Sequence, residues 1–225
     1  MKILLVGRGK MGQAAAQIIR QKGWTVLAAV GRDNALLLNT LPPCDGVLDL
    51  SHPAMTRAVC DYVQRTKTPL CCGTTGQSDG QKAALARLGG YAPVLVCPNF
   101  SPGLQLLHRW LCCREGELST WQKAVVESHH LQKADAPSGT ARLLADAAGI
   151  PPERIFSLRG GTDPGTHRIL LMGQGETLEV IHRAESRQVF ARGAVQALQR
   201  LMLLPPGFYT PQSVFFAKEG APHVG

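Results

Sequence analysis

The sequence predicts an α/β protein: a parallel sheet with helices on its faces, followed after residue 101 by a smaller α+β part. Short apolar runs recur along residues 1–100 with helically spaced stretches between them, the pattern of strand and helix alternation that builds a parallel sheet. A glycine pattern closes the first of those runs, and the alternation gives way after Ser101 to a mostly β rhythm. A chain of 225 residues is long enough for one large domain or two small ones.

Taken in order, Ile3–Val6 is the first strand, and it runs directly into Gly7-Arg8-Gly9-Lys10-Met11-Gly12. A G-x-G-x-x-G at a strand-to-helix turn supplies a tight bend, close approach to a pyrophosphate and close helix–strand packing. The helix N-terminus adds amide donors and a positive dipole end. The helix is Met11–Gln21, and Val26–Val30 is the second strand, followed by Gly31-Arg32-Asp33. An NAD site usually has an acid at this strand end to hold the ribose hydroxyls. Here Gly31 stands in that place, Arg32 can pair with a 2′-phosphate and favours NADPH, and Asp33 keeps NADH open.

Val47–Leu50, Leu70–Cys72 and Val94–Cys97 complete the strands, with helices at Met55–Gln64 and Gln81–Leu88. Open parallel sheets bind ligands beyond the carboxyl ends of their strands. The loops Gly73-Thr74-Thr75-Gly76 and Cys97-Pro98-Asn99-Phe100-Ser101 are therefore candidates to meet a nucleotide, although on residue type alone each is equally a structural turn. Beyond Ser101 we expect a helix at Leu104–Cys112, a strand at Trp121–Glu127 and a helix from about Gly139 to Ala148. Strand-like pieces follow at Arg154–Leu158, His167–Met172 and Thr177–His182, and Val189–Leu203 is the last clear element.

Composition narrows the function. The formal charge of +8 comes from 24 Lys and Arg scattered without clusters, and aromatics are only 5%, which argues against a nucleic-acid partner and for a small anionic ligand in a positive cleft. No apolar run is long enough to span a bilayer, and Ile3–Val6 is too short for a signal peptide. The seven cysteines show no disulfide or zinc spacing, so the expected compartment is the cytoplasm.

The stretch richest in chemistry is Glu127-Ser128-His129-His130-Leu131-Gln132-Lys133-Ala134-Asp135-Ala136-Pro137-Ser138-Gly139-Thr140-Ala141. A strand delivers two adjacent histidines and Lys133 to a turn in which Ser138 is a plausible N-cap. The amides of Gly139 and Thr140 then face an anion, with a proton donor beside it. No Cys or acid sits at metal-ligand spacing nearby, so no metal is expected.

This run, E-S-H-H-x-x-K-x-D-A-P-S-G-T-A, resembles the 4-hydroxy-tetrahydrodipicolinate reductase (dihydrodipicolinate reductase) family of lysine and diaminopimelate synthesis. The glycine turn, the G-T-T-G and P-N-F-S loops, Arg159-Gly160-Gly161 with Gly165 and His167, and Ser186-Arg187 ahead of Phe190-Ala191-Arg192-Gly193-Ala194 extend the resemblance over nearly the whole chain. It implies a Rossmann-type domain formed by 1–101 and 188–225, around an inserted substrate-binding and oligomerisation domain at 102–187 whose sheet builds a homotetramer. It implies an NADPH- or NADH-dependent reductase of a small dicarboxylate. His129 would be the proton donor and acceptor and Lys133 the second catalytic group, with His130, Lys133, Gly139 and Thr140 binding substrate carboxylate. The cofactor residues it implies are Gly7, Gly9, Lys10, Met11, Gly12, Arg32, Asp33, Gly73, Thr74, Thr75 and Cys97–Phe100. The chain departs from the family's commonest form in a glycine turn one residue shorter, in Gly31 at the place of the strand-two acid, and in a trimmed substrate domain. A different dehydrogenase on the same scaffold and a non-catalytic dinucleotide-binding regulator are the other readings of these residues.

Overall fold

A computed structural model describes residues 1–216. The chain opens with β1 (Lys2–Val6), α1 (Lys10–Gln21), β2 (Thr25–Val30), β3 (Gly46–Asp49), α2 (Thr56–Thr66), β4 (Leu70–Cys72), α3 (Asp79–Arg87) and β5 (Pro93–Val96). It continues with α4 (Pro102–Arg114), β6 (Gln122–His129), α5 (Gly139–Ala147), β7 (Ile155–Arg159), β8 (Thr166–Gly173) and β9 (Glu176–Arg183). Helix α6 (Gln188–Leu201), β10 (Gly207–Tyr209) and α7 (Pro211–Phe216) finish the described chain. Two compact units result: Met1–Phe100 with the chain from Phe190, and Ser101–Val189.

The first unit is a six-stranded parallel sheet in the order β10-β5-β4-β3-β1-β2. Its central strands are buried on both faces, which is why they read as unbroken apolar runs rather than alternating ones. Ile3, Leu5 and Leu48 face α1 and α6, packing on Ile19, Val195 and Leu198. Leu4, Val6 and Val47 face the other way, onto Val59 and Val63 of α2 and Leu85 of α3. The strand order reverses at β1, with β2 on one side and β3 on the other, so the glycine turn after β1 lies at the switch point where such sheets bind ligands.

The second unit is a four-stranded sheet in the order β7-β6-β8-β9, parallel only between β6 and β7. Helices α4 and α5 cover one face, where Leu104, Leu111 and Leu144 meet Val125, Ile169 and Leu171. Strand alternation puts Glu127 and His129 on the same face as Val125, at the end of β6 that leads to α5. The opposite face carries Phe156 and Leu158 of β7, both more than half exposed.

Two features lie beyond the sequence expectations. Residues 32–39 form 3-10 turns rather than a plain loop, and β10 and α7 follow the helix expected to be the last clear element. Strand β10 has only three residues, too few to show a period, and it exists because Gly207–Tyr209 pairs with the edge strand β5. Residues 217–225 of the expected first domain lie outside the described residues.

Candidate active site

The glycine turn after β1 is built by close backbone packing. Gly7 has φ +107°, and a Cβ there would lie 2.3 Å from the Leu50 carbonyl oxygen; a Cβ on Gly12 would lie 1.9 Å from that of Gly7. Gly9, the N-cap of α1, has open space where its Cβ would be. Among the described residues no side chain caps this helix, and no acid stands in its first turn. The donors and dipole of α1 are therefore compatible with a pyrophosphate. Lys10 is exposed there, while Met11 packs against the core.

Arg8, only an "x" of the motif in sequence, makes an ion pair with Asp33. That contact holds the Asp33 carboxyl below its ordinary range. A Cβ at Gly31 would sit 2.8 Å from Arg8 Nε and 2.9 Å from Asp33 Oδ1, so the pair occupies the space a longer residue at 31 would need. Arg32 is exposed beside it. Spacing gave no signal for Arg8, because the two partners are 25 residues apart.

The two loops differ in what they present. Thr74 is buried and its hydroxyl, 3.0 Å from Asp49 Oδ1, also accepts the Ser51 amide at 2.9 Å. Asp49 is itself buried, which pushes its carboxyl up, and it accepts further hydrogen bonds from Ser51 and Cys72. This carboxylate, unremarked in the sequence, ties the ends of β3 and β4 together. Thr75 is exposed, and Gly73 is required because a Cβ would lie 2.6 Å from the Phe100 ring. Cys97 and Phe100 are buried; the Cys97 thiol, pushed up to about 12 by burial, donates to the Asn99 carbonyl at 3.0 Å. These two side chains shape their loop from the core, whereas Pro98 is exposed and Asn99 half-buried.

The second unit gathers the remaining residues around Glu127. Its Oε2 bonds His129 Nδ1, and its Oε1 accepts from Arg159 Nη2 at 2.8 Å and from the Ser138 amide at 3.3 Å. Ser138 caps α5 through a bond from the Ala141 amide at 3.1 Å, and its hydroxyl lies 3.3 Å from His167 Nε2. His167 is buried and pushed down to about 3, chiefly by burial, so it is neutral at physiological pH. Its ring meets His129 edge-on at 5.3 Å. Burial also lowers His129, with Glu127 acting in the opposite direction.

Lys133 and Gly139 are joined by Asp135, whose Oδ1 accepts from Lys133 Nζ at 2.7 Å and whose Oδ2 accepts from the Gly139 amide at 3.4 Å. Two donors expected to hold a substrate carboxylate thus hold a carboxylate of the chain itself. Arg159 links the halves of the site, since its Nη2 also donates to the Asp135 carbonyl at 2.5 Å. His130 lies on the same loop, its amide bonded to the Asp163 carbonyl at 2.9 Å and its ring 3.5 Å from Arg187. Thr140 follows Gly139 in the first turn of α5.

Ligand atoms of Glu127, His129 and His167 lie within 4.8 Å of one another. The sequence analysis expects no acid at metal-ligand spacing; strand alternation places Glu127 on the same face as His129. A cation there would compete with the Arg159 guanidinium for Glu127.

Residues 1–100 match the N-terminal part of dihydrodipicolinate reductase and residues 104–215 its C-terminal part. The chain belongs to the dihydrodipicolinate reductase family. It is 38% identical to the 4-hydroxy-tetrahydrodipicolinate reductase of Xanthomonas campestris over 230 residues, covering 93% of this chain and 95% of that one. It is 32% identical to the enzyme of that name from Staphylococcus aureus over 240 residues, covering 93% and 98%. Among solved structures it resembles the dipicolinate-bound dihydrodipicolinate reductase of Paenisporosarcina sp. TG-14, with a TM-score of 0.72, 22% identity and coverage of 94% and 98%. The C-terminal family segment crosses both units of the fold, because α6 and the strand after it return to the first sheet.

The Arg8–Asp33 pair yields a testable expectation for this family member. Arg8→Ala removes a cation and leaves Asp33 facing any 2′-phosphate, so the Kd for NADPH should rise about tenfold or more while that for NADH changes about twofold or less. Arg32→Ala should show the same bias. Nucleotide fluorescence titration measures both; equal losses for the two nucleotides would make the arginines bystanders.

Proposed function

We propose that this chain is a 4-hydroxy-tetrahydrodipicolinate reductase, using NADPH or NADH to form tetrahydrodipicolinate. One observation carries this beyond family membership. The run from Glu127 to Ala141 folds into a continuous network in which Arg159 joins the His129–Glu127 pair to the Lys133–Asp135–Gly139 cluster. A proton donor and an anion-binding group are thereby held in one small region, as reduction of a ring bearing two carboxylates requires.

The roles follow from chemistry. Gly7, Gly9 and Gly12 with the start of α1 hold the nucleotide's diphosphate, Arg8 and Arg32 its adenosine end, and the loops of Gly73–Thr75 and Cys97–Phe100 line its other end. Bound nicotinamide supplies a hydride. Lys133, His130, Gly139 and Thr140 bind substrate carboxylate, which displaces Asp135 from Lys133 and Gly139. His129 delivers the accompanying proton from Nε2, since Nδ1 is engaged with Glu127. Hydride and proton are added and the 4-hydroxyl leaves as water, so no metal is needed to balance the reaction.

The domain assignment follows the same reading, with the first unit binding the nucleotide and the second the substrate. The open face of the second sheet, with Phe156 and Leu158 exposed by 53% and 58%, suits a homotetramer built through that sheet. Seven free cysteines suit the reducing cytoplasm, and among the described residues no helix is long and apolar enough to cross a membrane.

Calorimetric titration with pyridine-2,6-dicarboxylate tests the substrate site. The wild type should bind it, and Lys133→Met, which keeps the stem and removes the charge, should weaken binding by about 10- to 100-fold. His129→Ala should bind it normally but lose on the order of 10²–10⁴ in kcat. Normal binding by Lys133→Met, or loss of nucleotide binding by His129→Ala, would contradict these roles. For the assembly, light scattering should give four times the 24.2 kDa chain mass, and Phe156→Asp with Leu158→Asp should reduce it. A tetramer untouched by both substitutions would place the interface elsewhere.

A further inference from the structure

We infer that Glu127 is a positioning residue for proton transfer, fixing His129 in a single tautomer and orientation so that Nε2 alone is the proton-delivering atom. The inference rests on the proposed reductase activity and adds a residue to it.

Glu127 is fully buried at the centre of the second unit's polar network. A buried carboxylate is costly unless its lone pairs meet donors. Here Oε1 meets Arg159 Nη2 and the Ser138 amide, leaving Oε2 for His129. Burial works against ionisation, but the hydrogen bonds from Arg159 and His129 hold the carboxyl below its ordinary range. An ionised carboxylate only accepts, so His129 Nδ1 must carry a hydrogen at every pH at which Glu127 is charged. The neutral ring then has its lone pair on Nε2, and the cationic ring has its transferable proton there.

The surroundings of Nε2 give a second, independent indication. Gly165 has φ +148°, and a Cβ on it would lie 2.9 Å from His129 Nε2. His129 is buried, and a side chain at 165 would press on this nitrogen, so glycine there leaves it room. The charged and titratable groups around His129 are Glu127, Asp163, Lys133, Arg159 and His167. Lys133 and Arg159 disfavour its cationic form and His167 is neutral, so Glu127 is the directly bonded group that favours protonation.

Glu127→Gln tests this. The amide can keep its oxygen on Arg159 and turn its NH₂ towards Nδ1, which reverses the tautomer and removes the charge. The expected result is a fall in kcat on the order of 10²-fold or more, as for other lost orienting carboxylates, with nucleotide and pyridine-2,6-dicarboxylate affinities within about threefold of wild type. Protonated His129 is the donor, and loss of Glu127 lowers its pKa. The fall of kcat with rising pH should therefore move to lower pH by about one unit or more. Glu127→Asp, which keeps the charge but shortens the reach, should recover part of the rate and return the limb towards wild type. A titration of the His129 ring by ¹⁵N NMR, in wild type and Glu127→Gln, reads tautomer and pKa without turnover. It thus separates this inference from the reductase reading: an inactive wild type with an Nδ1–H ring that shifts in the variant would reject the activity and keep the clamp. An unmoved pH limb with an unchanged ring tautomer would overturn the inference. So would nucleotide and dicarboxylate affinities that fall in step with kcat.

Discussion

The buried carboxylate of Glu127 is the constraint on which the second unit's chemistry depends. Its two oxygens must be satisfied without water, and the three donors that satisfy them come from three places: the end of β6 (His129), the cap of α5 (Ser138) and the end of β7 (Arg159). Removing one partner of such a buried pair typically costs about 3–5 kcal/mol, far more than an exposed ion pair contributes. The same carboxylate therefore registers a helix against a sheet and orients a histidine. Ser138 connects the two tasks, because its amide bonds Glu127 while its hydroxyl caps α5 and approaches His167.

The first unit solves a different problem, the close packing of backbone at the turn into α1, where we propose that a diphosphate binds. A Cβ on Gly7 or Gly12 would lie 2.3 or 1.9 Å from a backbone carbonyl oxygen, whereas Gly9 opens onto free space. Asp49, at the end of β3, plays a part parallel to that of Glu127, as a buried carboxylate that holds Ser51 and Thr74 in place. Both units thus use an internal acid to lock the loop that follows a strand.

Much of this was legible in the sequence because it is local. The first five strands and three helices announce themselves by apolar runs and period, and the glycine turn by its position after β1. The His-His-Lys run gave the family. Part of what could not be read depends on residues far apart in the chain. Arg8 meets Asp33 across 25 positions and Glu127 meets Arg159 across 32. Glu127 and His129 are an i, i+2 pair, which the alternation of a strand places on one face, but the pairing of carboxylate with ring shows only once β6 is known to run to His129. Lys133 and Gly139 looked like an open anion site, because spacing cannot show that Asp135 bonds both. Strand β10 was invisible because three residues carry no period and its partner β5 lies more than a hundred residues earlier.

On the proposed function, this chain transfers a hydride from a nicotinamide to a cyclic dicarboxylate. This is tested most directly by following the hydride itself. NADPH carrying deuterium at both C4 positions, mixed with the enzyme and freshly generated 4-hydroxy-tetrahydrodipicolinate, should give tetrahydrodipicolinate with one deuterium for each nucleotide oxidised, read by mass spectrometry. Nucleotide oxidation without deuterium in that product, or no oxidation with either NADPH or NADH, would contradict the account.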